Sequence, residues 1–349
     1  MSANARDEGF HQPAEWAAHE AVWIAWPSHG DLWGEDALID AQAELVRLAE
    51  AIADLDGDGK PRGERLEVLV RNDADERLAR SALGGFGATT HRALYGDIWL
   101  RDTLPIFLTH RDASERALAR FRFNGWGGKY ELPGDAELSL VVAKLSGLRE
   151  FARSLVLEGG SVEPDGEGTI LTSEECLLNE NRNPGMSRLA IEKELCDSLG
   201  GERVLWVTKG LLNDHTDGHI DTLARFVAPG RVVCMAASGS DDPNREVLDA
   251  IAKELAAMTD ARGRRLDVVR VPSPGRVLDE DGEVMPASHV NFYIGNRTVV
   301  VPTYGTPFDD AAVAAITPLF PGRRVIGASA RTILEGGGAF HCITQQVPR

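Results

Sequence analysis

Toward its C-terminal end the sequence runs Leu334-Glu335-Gly336-Gly337-Gly338-Ala339-Phe340-His341-Cys342-Ile343-Thr344-Gln345-Gln346. Three successive glycines leave a backbone with few steric limits and no side chains, so a ligand can come close to the main chain. One cysteine stands at the mouth of that loop, between His341 and Ile343. A thiol so placed is a candidate nucleophile, because a thiolate attacks electron-poor carbon where a packed thiol stays inert. The competing reading is structural, since free cysteine often packs as a small hydrophobe. A second dense segment is Asp214-His215-Thr216-Asp217-Gly218-His219-Ile220-Asp221. His219 titrates near neutral pH and Asp221 can set its protonation, which suits proton transfer. His215, His219 and Asp221 also have the donor types for zinc, although Gly218 and a following strand weaken a metal-dependent hydrolase. A carboxylate pair grips a planar guanidinium through parallel charge-assisted hydrogen bonds. A thiolate beside that pair can attack the guanidinium carbon while a histidine protonates the departing nitrogen. Neither glycine-rich phosphate-binding pattern occurs, so no nucleotide cofactor is expected. Hydrolytic deimination by covalent catalysis, without metal or cofactor, fits these groups.

Bulk properties agree. At 349 residues the chain can bury a large core, and its 43% apolar and 26% charged residues are ordinary for a globular protein. The net charge of −17 argues against nucleic acid or an anionic membrane as partner. It is compatible with a small cationic substrate, although plain solubility is the better explanation from charge alone. Cys176, Cys196 and Cys234 lie far from one another and from Cys342, which fits neither a zinc framework nor a disulfide scaffold. These three read as structural. The first residues lack an apolar signal region, and no run of about 18 apolar residues occurs. A cytoplasmic protein is expected. Self-association into a homo-oligomer is left open.

The elements that must hold these groups follow from periodicity. Residues 13–33 carry four of the seven tryptophans, and residues 23–26 read as a buried strand ended by Pro27. Leu38, Ala41, Leu45, Leu48 and Ile52 have helical spacing, predicting a helix over 35–55. A glycine-bearing loop follows at 56–61, and then a strand at 66–70. Beyond it a pattern recurs five times: a polar or glycine-bearing segment enters a strand, turns, and returns in a second apolar strand. The segments begin at 97–102, 157–162, 218–221, 289–293 and the Cys342 run. Helices are predicted between them at 186–199, 243–258 and 309–317. Units spaced roughly 50–70 residues apart signal an internal repeat packed around a shared axis. Each unit brings a chemically active residue just before its hairpin: Asp102, Glu158, His219 with Asp221, Asn291, and Cys342. Rotation would gather them at one end of the axis. No long linker divides residues 1–349, which read as one domain.

Several runs then resemble the agmatine deiminases. They are Pro13-Ala14-Glu15-Trp16, Ala25-Trp26-Pro27, Trp99-Leu100-Arg101-Asp102-Thr103, Phe123-Asn124-Gly125-Trp126-Gly127-Gly128-Lys129-Tyr130 and Leu157-Glu158-Gly159-Gly160. Thr172-Ser173-Glu174-Glu175-Cys176-Leu177-Leu178-Asn179, His215 to Asp221, and the terminal glycine–cysteine run complete the set. The likeness covers nearly the whole chain, in order. It implies the five-bladed α/β propeller of the guanidine-modifying enzymes, with ββαβ-type units about a pseudo-five-fold axis. It further implies Asp102, His219, Asp221 and Cys342 as catalytic residues, and Trp99, Glu158, Gly337 and Gly338 as substrate-binding ones. The implied reaction is hydrolysis of agmatine to N-carbamoylputrescine and ammonia. Free or peptidyl arginine is the alternative substrate on the same fold. Two positions depart from the family pattern: Leu104 stands where glycine is usual, and Ala339 where asparagine is usual.

Overall fold

The computed structural model describes residues 4–349. The predicted first helix forms as Glu35–Ala53 and buries Ala41, Leu45, Leu48, Ala49 and Ile52 along one stripe. Glu35 and Asp36 in its first turn complement the helix dipole. The strand before it, His19–Ala25, is buried at almost every position, which is why its sequence reads as an uninterrupted apolar run.

The described residues form five separate sheets, and one connection rule builds all of them. A first strand pairs antiparallel with a second; a helix follows; a third strand then pairs parallel with the second. Ile106–His110, Arg116–Arg122 and Arg149–Val156 do this around the helix Asp135–Ser146. Glu163–Pro164, Thr169–Ser173 and Arg203–Val207 repeat it with Arg188–Leu199. Ala224–Ala228, Arg231–Ala236 and Asp267–Pro272 follow with Arg245–Ala257. Tyr293–Ile294, Thr298–Thr303 and Arg324–Ser329 enclose Asp309–Ile316. Parallel neighbours need such a crossover, because a tight turn cannot reverse the chain twice. The three helices predicted between the units are all present.

The fifth unit differs in an instructive way. Its first strand, Gln345–Pro348, is met by His19–Ala25 from the other end of the chain, with Gln345 opposite Trp23. Arg65–Val70 and Thr89–Arg92 then extend that sheet in parallel. The segments leading into the units also differ from expectation. Residues 97–102 are not strand. Leu100–Thr103 is a helical turn, closed by Thr103 N–H to the Trp99 carbonyl at 3.2 Å. Gly159–Ser161 and Ile220–Thr222 are 3₁₀ turns at the corresponding places. A single turn suits the task, because it points one side chain inward and hands the chain to the next strand. Three apolar clusters fill the interior, the largest spanning the sheet that joins the two ends of the chain. Among the described residues no helix is long and apolar enough to cross a membrane.

Candidate active site

The turns ahead of the first strands bring their active groups together. Asp102 is buried; its Oδ1 accepts from the Gly160 N–H and its Oδ2 from the Trp126 indole N–H, both at 2.9 Å. His219 is fully buried with Nδ1 3.7 Å from Asp102 Oδ1, and neither ring nitrogen has a hydrogen-bond partner. Asp221, also fully buried, accepts from His341 Nδ1 through Oδ2 at 2.7 Å, while its Oδ1 has no partner. Cys342 Sγ lies 3.5 Å from Asp221 Oδ2 and 3.1 Å from Asn291 Nδ2. Buried polar atoms are normally paired, so free acceptors and ring nitrogens beside a thiol mark a place left open for a ligand.

Gly160 sits at the centre of this group. A Cβ there would lie 2.7 Å from His219 Nδ1, 2.9 Å from Asp102 Oδ1 and 3.0 Å from Asp221 Oδ2. Only glycine lets the three side chains share that space. Trp126, which holds Asp102, takes φ = 52°, a left-handed conformation costly for a bulky residue. Such strain persists where surrounding contacts enforce it, commonly at functional sites.

The electrostatics follow from burial and proximity. Burial pushes the Asp102 carboxyl up, the negative charges of Asp221 and Glu158 adding to the effect and His219 opposing it. For His219 burial alone would favour the neutral ring, but the charge of Asp102 and the neighbouring Cys176 and Glu158 carry it well above the ordinary histidine value. Asp221 is held below the usual carboxylate range: burial works against this, and His341, His219 and Arg225 prevail. The Cys342 thiol is driven well above its ordinary value by burial and then by Asp221 and Asp102. These directions favour the thiol form of Cys342 and the protonated ring of His219 beside the unpaired Oδ1 of Asp221.

A cavity of about 270 Å³ reaches Asp102 and Cys342, while His219 and Asp221 lie behind its lining, against those two residues. Trp33, Trp99, Trp126 and Tyr130 wall it, and Asp97, Asp102 and Glu335 supply three carboxylates. Asp97 accepts from the indole N–H groups of both Trp33 and Trp99 at 3.0 Å, fixing the two stacked rings. Gly337 and Cys342 line the cavity floor. Gly338 does not; it packs where a Cβ would meet Trp99 at 2.6 Å and Cys342 Cβ at 2.9 Å. Glu158 does not line the cavity either. It is fully buried behind His219, and its Oε1 accepts from Arg182 Nε at 2.7 Å. Leu104 and Ala339 are both buried.

The zinc reading of the His215 to Asp221 segment fails on geometry. Among the described residues the groups with ligand atoms within 4.8 Å of one another are Glu158–Cys176–His219 and Glu15–Glu163–His341. His215 lies apart at the cavity wall, its ring against Tyr130. Both gathered groups come from residues distant in sequence, which is why spacing does not reveal them. Their carboxylates already face arginines: Glu158 faces Arg182, and Glu15 with Glu163 faces Arg225.

Trp126, Gly160, Asn291, Glu15 and Cys176 acquire places in the site that the motifs alone do not give. The repeat marks Asn291, but only the fold puts its amide on the Cys342 sulfur. Cys176, read as structural, is fully buried yet lies against His219. Trp33, which the sequence shows only as one of the N-terminal tryptophans, faces the cavity.

Residues 11–348 match the family described as Porphyromonas-type peptidyl-arginine deiminase. The agmatine deiminase of Stutzerimonas stutzeri is 36% identical over 373 residues, covering 100% of this chain and 98% of the relative. The solved structure of the agmatine deiminase of Enterococcus faecalis superposes with a TM-score of 0.92 at 32% identity, covering 100% and 98% of the two chains. An amidinotransferase of Microseira wollei, 14% identical with a TM-score of 0.52 over 98% of this chain and 97% of its own, shares the fold alone.

Proposed function

Because the chain belongs to the Porphyromonas-type peptidyl-arginine deiminase family, we propose that it hydrolyses agmatine to N-carbamoylputrescine and ammonia through a covalent intermediate on Cys342. The five ββαβ units are then the blades of one α/β propeller, and residues 1–349 a single catalytic domain acting in the cytoplasm. The observation that carries the substrate assignment is the cavity wall. It holds three carboxylates and an aromatic sleeve and, among the described residues, no lysine or arginine. A free arginine would bring an α-carboxylate into that acidic wall with no cation to meet it, whereas agmatine ends in an ammonium. The S. stutzeri and E. faecalis relatives, named agmatine deiminases, support the same substrate.

In this reading Asp102 and the free Oδ1 of Asp221 accept the guanidinium N–H groups, and Trp99 walls the pocket. The bound cation makes the Cys342 thiolate favourable, so one positive charge enters as one proton leaves. The thiolate attacks the guanidinium carbon, forming a C–S bond and a tetrahedral adduct. His219, poised as an imidazolium, protonates the departing nitrogen, and the C–N bond breaks to release ammonia. The neutral ring then takes a proton from water as its oxygen attacks the S-alkylthiouronium carbon. The C–S bond breaks as the adduct's hydroxyl gives up its proton to the departing sulfur, returning the thiol and leaving the carbamoyl product. Every step is carried by side chains, with no metal or organic cofactor.

Ammonia release from agmatine, free arginine and a blocked arginine peptide tests the proposal. Agmatine should turn over far faster than the other two. Equal turnover of arginine would refute the part assigned to the acidic wall, and release from none of the three would refute deimination itself.

A further inference from the structure

Behind the cavity Asp221 is tied into a buried ionic cluster whose other members the reaction as drawn does not use. His341 Nδ1 is 2.7 Å from Asp221 Oδ2 and its Nε2 is 2.9 Å from Glu15 Oε2, and the ring is almost wholly buried. An ionised carboxylate accepts hydrogen bonds and cannot donate, so Asp221 takes its bond from the Nδ1 side of the ring as an acceptor. Charged groups come to the cluster from several elements: Glu15 from the N-terminal segment, Glu163 and Arg225 from two strands, and Arg101 from the turn before Ile106. Asp221 itself is faced by His341, His219, Arg225, Asp102 and the Cys342 thiol. Arg225, Arg101 and the His341 ring are the partners of these carboxylates in a place where unpaired buried charge is costly. Arg225 bonds both Glu15 and Glu163, and Arg101 Nε donates to the His341 carbonyl at 3.3 Å.

We propose that His341 and Glu15 are positioning residues that hold Asp221 as a fixed anion and aim its unpaired Oδ1 at the substrate cation. The inference rests on the reading of Asp221 as a guanidinium acceptor. His341 occupies one oxygen of Asp221 and leaves the other free. Glu15 pins the far side of the ring, so the N-terminal segment reaches the reacting group through one intermediary. His341 is one peptide bond from the nucleophile, and displacement of its ring would disturb both.

Two near-isosteric variants separate positioning from packing. In His341→Asn the amide can sit where Nδ1 was and still donate to Asp221; in His341→Gln it reaches toward Glu15 and leaves Asp221 unpaired. The sign follows from Asp221, which works ionised and is kept so by His341. Removing that partner raises its protonation range, so the acid limb of kcat/KM moves to higher pH. His341→Gln should show that displacement with a raised KM for agmatine and a loss of about 100-fold or more, and His341→Asn a smaller loss of about tenfold. Equal losses in both with the acid limb unmoved would overturn the proposal. A second arm needs no turnover: alkylation of Cys342 by chloroacetamidine, whose amidinium requires the same anion. If agmatine proves not to be the substrate, the acid limb of this labelling still moves in His341→Gln when the proposal is right, and stays put when it is wrong. Where a His341 variant does not fold, Glu15→Gln preserves shape and should move the limb in the same direction; an unmoved limb there refutes the proposal.

Discussion

Replacing Asp102 with asparagine keeps the side-chain shape and removes its charge, and the contacts around it allow the consequence to be worked through. The carboxylate accepts from two donors, Gly160 N–H and Trp126 Nε1–H. An amide has one oxygen, so one of these donors would face an NH2 group and lose its partner. The guanidinium would also lose one of its two anionic neighbours in a buried site. Leaving a desolvated charge without its partner costs about 3–5 kcal/mol. At 1.4 kcal/mol per factor of ten, kcat/KM should fall by roughly two to four orders of magnitude. The pH profile should change as well. The charge of Asp102 is the largest influence raising His219 against burial, so the variant ring gives up its proton at lower pH. The general acid is then lost earlier as pH rises, and the alkaline limb moves down. A coupled assay of ammonia release between pH 5 and 10 reads both effects. A variant within about tenfold of the parent, a loss near 1.4 kcal/mol, with its alkaline limb in place would mean that the guanidinium binds elsewhere.

Three further outcomes are expected. Cys342→Ala should abolish turnover while circular dichroism and agmatine binding by calorimetry persist, whereas Cys196→Ala and Cys234→Ala should keep activity within a few-fold; measurable turnover in the first rules out covalent catalysis. Gly160→Ala introduces a methyl group at 2.7–3.0 Å from His219, Asp102 and Asp221, so it should cost at least about 100-fold in kcat, a barrier increase near 3 kcal/mol, while thermal unfolding still gives one cooperative transition. Exhaustive dialysis against a strong chelator should leave the rate unchanged; a rate that collapses and returns with zinc would favour a metallohydrolase.

Much of this molecule is legible in its sequence, for physical reasons that differ by element. The helix Glu35–Ala53 is visible because its buried stripe repeats with the helical period. The recurrent units are visible because each begins with a reactive residue ahead of a strand, and three of them turn at glycine. The short turns before the strands are not visible, since four residues are too few for a period, and Leu100-Arg101-Asp102-Thr103 resembles a strand edge as much as a helix. The partner of Gln345–Pro348 lies at the far end of the chain, where no local signal can point. Glu158 is a substrate ligand only by the resemblance; that its carboxylate faces Arg182 depends on a residue 24 positions away, which no local pattern shows. Asn291, Trp126 and Glu15 reach the site only through tertiary packing.

The pairing of Gln345–Pro348 with His19–Ala25 has a consequence for how the protein wears out. Residues more than 300 positions apart must meet to form this seam, a slow kind of contact to make and a costly loop to close. Four residue pairs form its ladder, a few further bonds such as Arg101 to Gln345 and Arg116 to Pro348 add to it, and the nucleophile stands three residues before its first strand position. Opening of the seam alone would draw Cys342 away from Asn291 and Asp221 while four sheets stay intact. Heat should therefore silence the protein at temperatures where its far-ultraviolet signal is still that of a folded chain, and brief cooling should bring the lost activity back.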